Sequence, residues 1–355
     1  YRLTAEANYT GGNFYFRNVA SAGALYPAEI YVATHGVNGL NDGLYHFSIA
    51  HQGLYSLRRG NFPQITKKTI TKNNVPFLTF FISAIFFRSA WKYRERSYRY
   101  HLLDTGHLVE NLSLSLKYLD LSFVTSYDFD DGWVNRFLGL DIGKECTLAV
   151  SHVLGPNFFQ NDDLPEVEDL PKSFKDASRV AEKEISYSLV REIHQAGTEA
   201  ILPSKSRPDM VNNLGVIPDN WTKIDRLESW PEATNYVESV FSRRSRRNFV
   251  KETIPSDFLT AILNSLSILD PESVPGPLDY YYSISTGLLV GRAEKFKPGF
   301  YLVDIFSAKM GMVKSGFFMD RMSHICLDQA WLANAALHFL FMTNLETLEH
   351  QWGAR

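Results

Sequence analysis

Cysteine is nearly missing from this chain. Cys146 and Cys326 are the two in 355 residues, far apart and each in apolar surroundings. That excludes a disulfide framework and cysteine-based metal ligation, and it suits a reducing compartment, so a cytoplasmic protein is expected. Long hydrophobic runs are missing too. The longest, 77–87, is 11 residues, the length of a buried strand and far short of the roughly 20 needed to span a bilayer. No sign of charge dominates: 36 Lys and Arg stand against 39 Asp and Glu, a net charge of −3, so no global attraction to nucleic acid or anionic membrane is expected. Walker loops, GxGxxG and Ser/His/Asp arrangements are absent. His35, His46, His51, His101 and His107 show no ligand spacing, so metal, triad and Rossmann readings are disfavoured. No secretory leader is visible, although the chain starts at Tyr1 and stops at Arg355 in mid-pattern, as a fragment would.

What is present is apolar and aromatic residues, 45% and 14% of the chain, enough for roughly two domains of about 150 residues. One pattern occurs twice. Residues 43–62 read GLYHFSIAHQGLYSLRRGNF and 299–318 read GFYLVDIFSAKMGMVKSGFF, so Gly43, Tyr45, Gly60 and Phe62 fall on Gly299, Tyr301, Gly316 and Phe318 in one frame. A repeat of this length is a duplicated domain, not a solenoid unit. The expected organisation is a first domain over 1–155 lacking its N-terminal part, a connector with one helix over 156–235, and a second domain over 236–355 lacking its C-terminal part. In the first, strands are expected over 25–34, 77–87 and 147–154, a hairpin over 43–49 and 53–57, and a core helix carrying Leu108, Leu112, Leu116 and Leu119. In the connector, 177–197 reads as a helix. In the second, Ser256 is a candidate N-cap for a helix with Phe258, Leu259, Ile262, Leu263 and Leu266 on one face, strands are expected over 280–290 and 299–305, and 331–341 matches 75–86. The mixture is that of an α+β sandwich.

Three segments could carry chemistry. RRSRRNF at 243–249 places four guanidiniums and a hydroxyl within five residues before a helix, enough to grip a phosphate. A solvated basic loop or a nucleic-acid patch reads equally well from spacing. ASAGALYP at 20–27 is a run of small residues leading into a strand. It could let backbone approach a flat ligand or be an ordinary turn. Residues 91–100, WKYRERSYRY, set Lys92 beside Tyr93. The pair could move protons or stabilise an oxyanion, or be cation–π packing at a helix start.

Taken together the chain resembles the nitroreductase-like flavoprotein superfamily, in particular its SagB/ThcOx branch of azoline dehydrogenases. The resemblance rests on RRSRRNF at 243–249, ASAGALYPAEIYV at 20–32, GLYHFSIAHQGLYSLRRG at 43–60 and KYRERSYRYHLLDTGHLVENLSL at 92–114. It implies a mixed, mainly antiparallel sheet wrapped by helices, with the two tandem copies forming a pseudo-dimer within one chain. It implies FMN, with Arg243, Arg244, Ser245 and Arg247 at the phosphate and Ser21, Gly23 and Ala24 lining the isoalloxazine. It makes Lys92 and Tyr93 the catalytic pair, a cation beside a phenol favouring phenolate. The substrate would be a thiazoline or oxazoline in a modified peptide, or a small molecule, with NAD(P)H or another electron donor or acceptor as co-substrate.

The copies are unequal. The second reads Pro275-Gly276-Pro277-Leu278-Asp279-Tyr280 where SAGALYP belongs and Gln351-Trp352 in place of Lys-Tyr. One composite flavin site per chain is therefore expected. Leu119-Asp120-Leu121-Ser122 and Ser126-Tyr127-Asp128 stand where the family usually has glycines. Two other classes stay open: a general nitro or quinone reductase, and a degenerate flavin-fold scaffold without catalysis.

Overall fold

The run 77–87 is apolar because both of its faces are covered. In the computed structural model, which describes residues 3–9, 12–62, 74–158, 168–171, 174, 176–198, 214–231, 234–268, 274 and 278–352, residues 77–85 lie in a central strand, while Phe86 turns the chain and Phe87 opens a helix. The chain divides into two compact units. The first comprises Tyr1–Ala200, Tyr236–Arg244 and Ala354–Arg355, and the second Ile201–Asn235 and Ser245–Gly353.

The first unit opens with a separate hairpin, β1 (Leu3–Tyr9) and β2 (Gly12–Arg17). Its main sheet holds β3 (Ala28–Thr34), β4 (Gly43–Ser48), β5 (Gly53–Arg59), β6 (Asn74–Ile85), β7 (Phe123–Ser126) and β8 (Glu145–Phe158) in the order β5-β4-β3-β6-β8-β7. All these pairings are antiparallel. Strand alternation sends Phe81 and Val150 to one face, where they meet Phe137, Leu138 and Val134, and Ile82 and Ala149 to the other, where they meet Leu108 and Val109.

Before residue 200 the described helices of this unit include α1 (Phe87–Tyr93), α2 (Ser97–Tyr118), α3 (Asp131–Leu138) and α4 (Ser188–Thr198). The Asp130 side chain caps α3 by accepting from the Trp133 amide at 2.9 Å, and Gly139 at φ 74° ends it. The returning α5 (Tyr236–Ser242) is held by Tyr236, whose ring stacks on Tyr118 at 5.0 Å and whose hydroxyl bonds Ser115 at 2.5 Å. Glu145 is fully buried at the start of β8, accepting from Tyr31 at 3.0 Å, Ser83 at 2.5 Å and Ser178 at 2.6 Å. These contacts give the first unit residues that the boundaries 1–155, 156–235 and 236–355 assign elsewhere, and 155 falls inside β8.

The second unit has a sheet in the order β13-β10-β11-β12-β9, with β9 (Thr222–Lys223), β10 (Ser285–Val290), β11 (Gly299–Asp304), β12 (Lys309–Ser315) and β13 (Leu337–Met342). Its helices are α6 (Ser256–Leu266), α7 (Leu278–Tyr282), α8 (Met319–Ile325) and α9 (Leu345–Trp352). On α6, Leu259 and Leu263 pack on Leu288, Val290 and Tyr301. Met319 of α8 packs on Leu289.

The repeated sequence is a repeated hairpin. Gly43 opens β4 opposite Arg59, and Gly299 opens β11 opposite Ser315. The register shifts between Leu44 and Tyr45 in one, and between Phe300 and Tyr301 in the other. Tyr45 donates to the Asn41 carbonyl at 2.7 Å, and Tyr301 to that of Lys297 at 2.8 Å. A Cβ on Gly43 would stand 2.4 Å from the Arg58 carbonyl, and one on Gly299 2.7 Å from that of Lys314.

Several expected elements shift. Residues 280–282 lie in α7, closed by Ser283 N–H to Tyr280 and Ile284 N–H to Tyr281, so the strand begins at Ser285. Residues 330–334 form a 3-10 turn, and β13 starts at Leu337. Ser256 is the first residue of α6, not its cap: Pro255 precedes it, and the Glu294 carboxylate accepts the Ser256 amide at 3.1 Å. Residues 25–27 are not strand: Tyr26 has φ 48°, outside the extended range, and β3 begins at Ala28. Helix α4 starts only at Ser188, and Ser178 instead donates to Glu145. Leu119 lies just past α2 and is exposed. Residues 275–277 lie outside the described ones. Among the described residues no helix is long and apolar enough to cross a membrane.

Candidate functional site

Helix α1 ends where Arg94 takes φ 51° and ψ −134°. A three-residue 3-10 turn, Arg94–Arg96, then redirects the chain into α2. Lys92 and Tyr93 are the last residues before this break. Lys92 is exposed, with Nζ 5.3 Å from the centre of the half-buried Tyr93 ring. The Tyr93 ring lies 4.5 Å from that of Tyr100 on α2.

The small-residue segment packs against this pair. Ala22–Ala24 form a single 3-10 turn with Gly23 at φ 64°. A Cβ on Gly23 would stand 2.6 Å from Tyr93 Oη and 2.9 Å from Lys92 Nζ. Only a residue with no side chain leaves both groups where they are. Ala24 and Tyr26 also have positive φ, 54° and 48°, a strained turn needing support from around it. Ser21 Oγ accepts the Tyr26 amide at 2.9 Å and donates to Asp104 at 2.5 Å, and the Ala22 amide donates to Asp104 at 3.0 Å.

Cations and one carboxylate hold the far end of the turn. Tyr26 Oη accepts the Arg17 amide at 3.1 Å, and the Arg17 guanidinium lies 4.7 Å over the Tyr26 ring. Arg88 of α1 donates to the Tyr26 carbonyl at 3.4 Å and pairs with Glu29, which also bonds His46 at 2.7 Å. Burial would raise the Glu29 carboxyl, but the His46 hydrogen bond and the Arg88 charge outweigh it and hold Glu29 below the usual range. Burial, with Arg88 nearby, pulls Arg17 down to about 10 against the attraction of Glu29.

Arg243 reaches the same region from α5. Its Nε donates to the Asn18 carbonyl and its Nη2 to that of Arg17 at 3.3 Å. Arg244 Nη1 donates to the carbonyls of Phe241 and Arg243 at 2.8 and 2.7 Å. Thus Ser21, Gly23, Ala24, Lys92, Tyr93, Arg243 and Arg244 all belong to the first unit. Ser245 and Arg247 are exposed and belong to the second unit, at the start of its stretch Ser245–Gly353. Asp120 takes φ 55°, the conformation that glycine, usual there in the family, adopts most easily. Asp104, Glu29, Arg88 and Arg17 went unnoticed in the sequence. For Asp104 a signal existed, since it shares the buried face of α2 with His101, Leu108 and Val109, where a carboxylate needs partners.

A flavin mononucleotide fits these groups in kind. A turn of small residues with no room for a Cβ suits a flat ring, and the guanidiniums beside it suit a phosphate.

The nitroreductase family profile matches residues 3–152. The trifolitoxin-processing protein TfxB of Rhizobium leguminosarum bv. trifolii is 30% identical over 149 residues, 40% of this chain and 40% of TfxB. A putative nitroreductase of Methanocaldococcus jannaschii is 27% identical over 141 residues, 39% of this chain and 70% of that protein. The chain therefore spans well under half the length of TfxB. A crystal structure of a putative nitroreductase from Anabaena variabilis superposes with a TM-score of 0.77 at 23% identity, over 100% of this chain and 74% of that one. The strained turn, the Lys-Tyr pair and most of the sheet behind them lie in the stretch, residues 3–152, over which this chain is similar to the nitroreductase family.

Proposed function

We propose that this chain is an FMN-dependent oxidoreductase of the SagB type that oxidises thiazoline or oxazoline rings in a modified peptide, in a cytoplasmic setting. The observation that carries the reading is the contact of the Gly23 turn with Lys92 and Tyr93, which joins two separately expected segments in one place. The name of TfxB, for processing trifolitoxin, favours a maturation reaction. The matched hairpins favour a tandem pair of related domains.

Oxidising an azoline to an azole removes one hydride equivalent and one proton. Bound FMN supplies the two-electron acceptor. Ser21, Gly23 and Ala24 present a flat wall, and Arg243 and Arg244 hold the phosphate. Ser245 and Arg247, next in the chain, are proposed for the same role from the sequence. Tyr93 Oη or Lys92 Nζ takes the proton, and Tyr100 keeps the Tyr93 ring in place.

The test begins with the purified chain. A yellow protein that releases one FMN per chain on denaturation supports the reading, and a protein that stays colourless after FMN is added refutes it. Turnover of a thiazoline-containing peptide should fall about 10²- to 10⁴-fold in Lys92→Ala and Tyr93→Phe, the usual contribution of a proton-transfer group. A flavin-loaded protein that reduces a quinone with NADPH and leaves the thiazoline untouched would instead support the general reductase.

A further inference from the structure

Asp104 lies on α2 one helical turn beyond Tyr100, on the same face. It is 5% exposed, and burying a carboxylate there is costly unless it is hydrogen-bonded. Its two donors come from one place: Ser21 Oγ at 2.5 Å and the Ala22 amide at 3.0 Å. Because Ser21 Oγ also accepts the Tyr26 amide at 2.9 Å, this carboxylate reaches both ends of the turn. The turn cannot hold itself, since it is one 3-10 turn long and has positive φ at Ala24 and Tyr26. Its crest, Gly23, rests on Tyr93 Oη and Lys92 Nζ. Helix α2 thus touches the reactive pair twice, through the Tyr100 ring and through the turn that Asp104 fastens.

We propose that Asp104 is a positioning residue for Lys92 and Tyr93: by clamping Ser21 and Ala22 it fixes the Gly23 crest against them. The proposal rests on the role given to this pair above. Burial raises the Asp104 carboxyl, and the bonds from Ser21 and Ala22, with His107 nearby, pull it back. Its hydrogen bonds offset only part of that desolvation, and the carboxyl stays above its ordinary range.

Two measurements need neither substrate nor flavin. Hydrogen exchange reports the Ala22 and Tyr26 amides. Acylation by acetic anhydride across a pH series, mapped by peptide mass spectrometry, reports Lys92, with exposed Lys117 as reference. In Asp104→Ala the two amides should exchange about ten- to a hundredfold faster, the scale of a lost hydrogen bond to a charged group. Lys92 acylation should change by about threefold or more while Lys117 stays constant. Asp104→Asn keeps an acceptor for Ala22 and should fall between. Ser21→Ala removes the clamp from the turn side and should reproduce the Lys92 change, and it decides the matter if Asp104→Ala fails to fold.

Unchanged Lys92 acylation in the variants that fold, or a change shared by all lysines, overturns the proposal. A colourless protein in which Lys92 responds selectively refutes the flavin reading and leaves the clamp. A flavin-loaded protein with unresponsive Lys92 refutes the clamp alone.

Discussion

Gly23 is where conformation and chemistry meet most closely. Gly23→Ala should cost at least about 1 to 2 kcal/mol through the left-handed backbone alone. Its methyl would also press on Tyr93 Oη and Lys92 Nζ, so azoline turnover should drop further than stability. A denaturation curve beside a turnover assay separates the two, and equal losses would argue against the contact. Glu145 is the other informative residue. Burial pushes its carboxyl up, and Glu29 adds to this, while Ser178, Ser83 and Tyr31 hold it back. The fold therefore prefers it protonated. Its contribution is full below the ordinary glutamate range of about 4.3 and is lost as pH rises through that value towards the folded one. Glu145→Gln stays neutral throughout, so its stability relative to the parent should improve from about pH 4 to about pH 7. Urea denaturation across that range measures the difference, and a constant gap would mean that Glu145 does not titrate in this way.

Among elements, the two hairpins offer an internal control. Gly43 and Gly299 each lack room for a methyl because a backbone carbonyl of the neighbouring strand stands in the way. Gly43→Ala and Gly299→Ala should each destabilise by about 1 to 3 kcal/mol, the range for overpacking. Chemical denaturation should find similar losses, and a loss in only one would break the parallel. These hairpins were legible in the sequence because glycine, tyrosine and strand alternation act locally. So were β6 and α2, whose apolar residues are dictated by coverage of the sheet. The start of β10 was not: the tyrosines at 280–282 suit a strand by propensity, yet they lie in α7, where Tyr282 stacks on Phe306 at 4.0 Å. Nor was the cap of α6, since Glu294 comes from 38 residues away in sequence. At the site, the small-residue turn and the Lys-Tyr pair were visible as motifs. Their contact, and Asp104 behind it, depend on packing that no local spacing encodes.

For the whole molecule, the instructive feature is that the first unit is not one stretch of chain. It lacks residues 201–235 and takes back Tyr236–Arg244. Tyr236→Ala removes a ring stack and a hydroxyl bond, together worth about 1 to 3 kcal/mol. Exchange protection should fall on α2 around Ser115 and Tyr118 and stay unchanged in β10–β12. Loss spread evenly over both units would contradict the assignment of α5 to the first. The same discontinuity sets an order of events during synthesis. At about 5 to 20 residues per second, the ribosome needs roughly 2 to 9 seconds to make the 44 residues from Ile201 to Arg244. For most of that interval a nascent chain already containing the six-stranded sheet lacks the tyrosine that seats α5, and until its end it lacks Arg243 beside the small-residue turn, so the first unit can mature only after the second has begun to emerge.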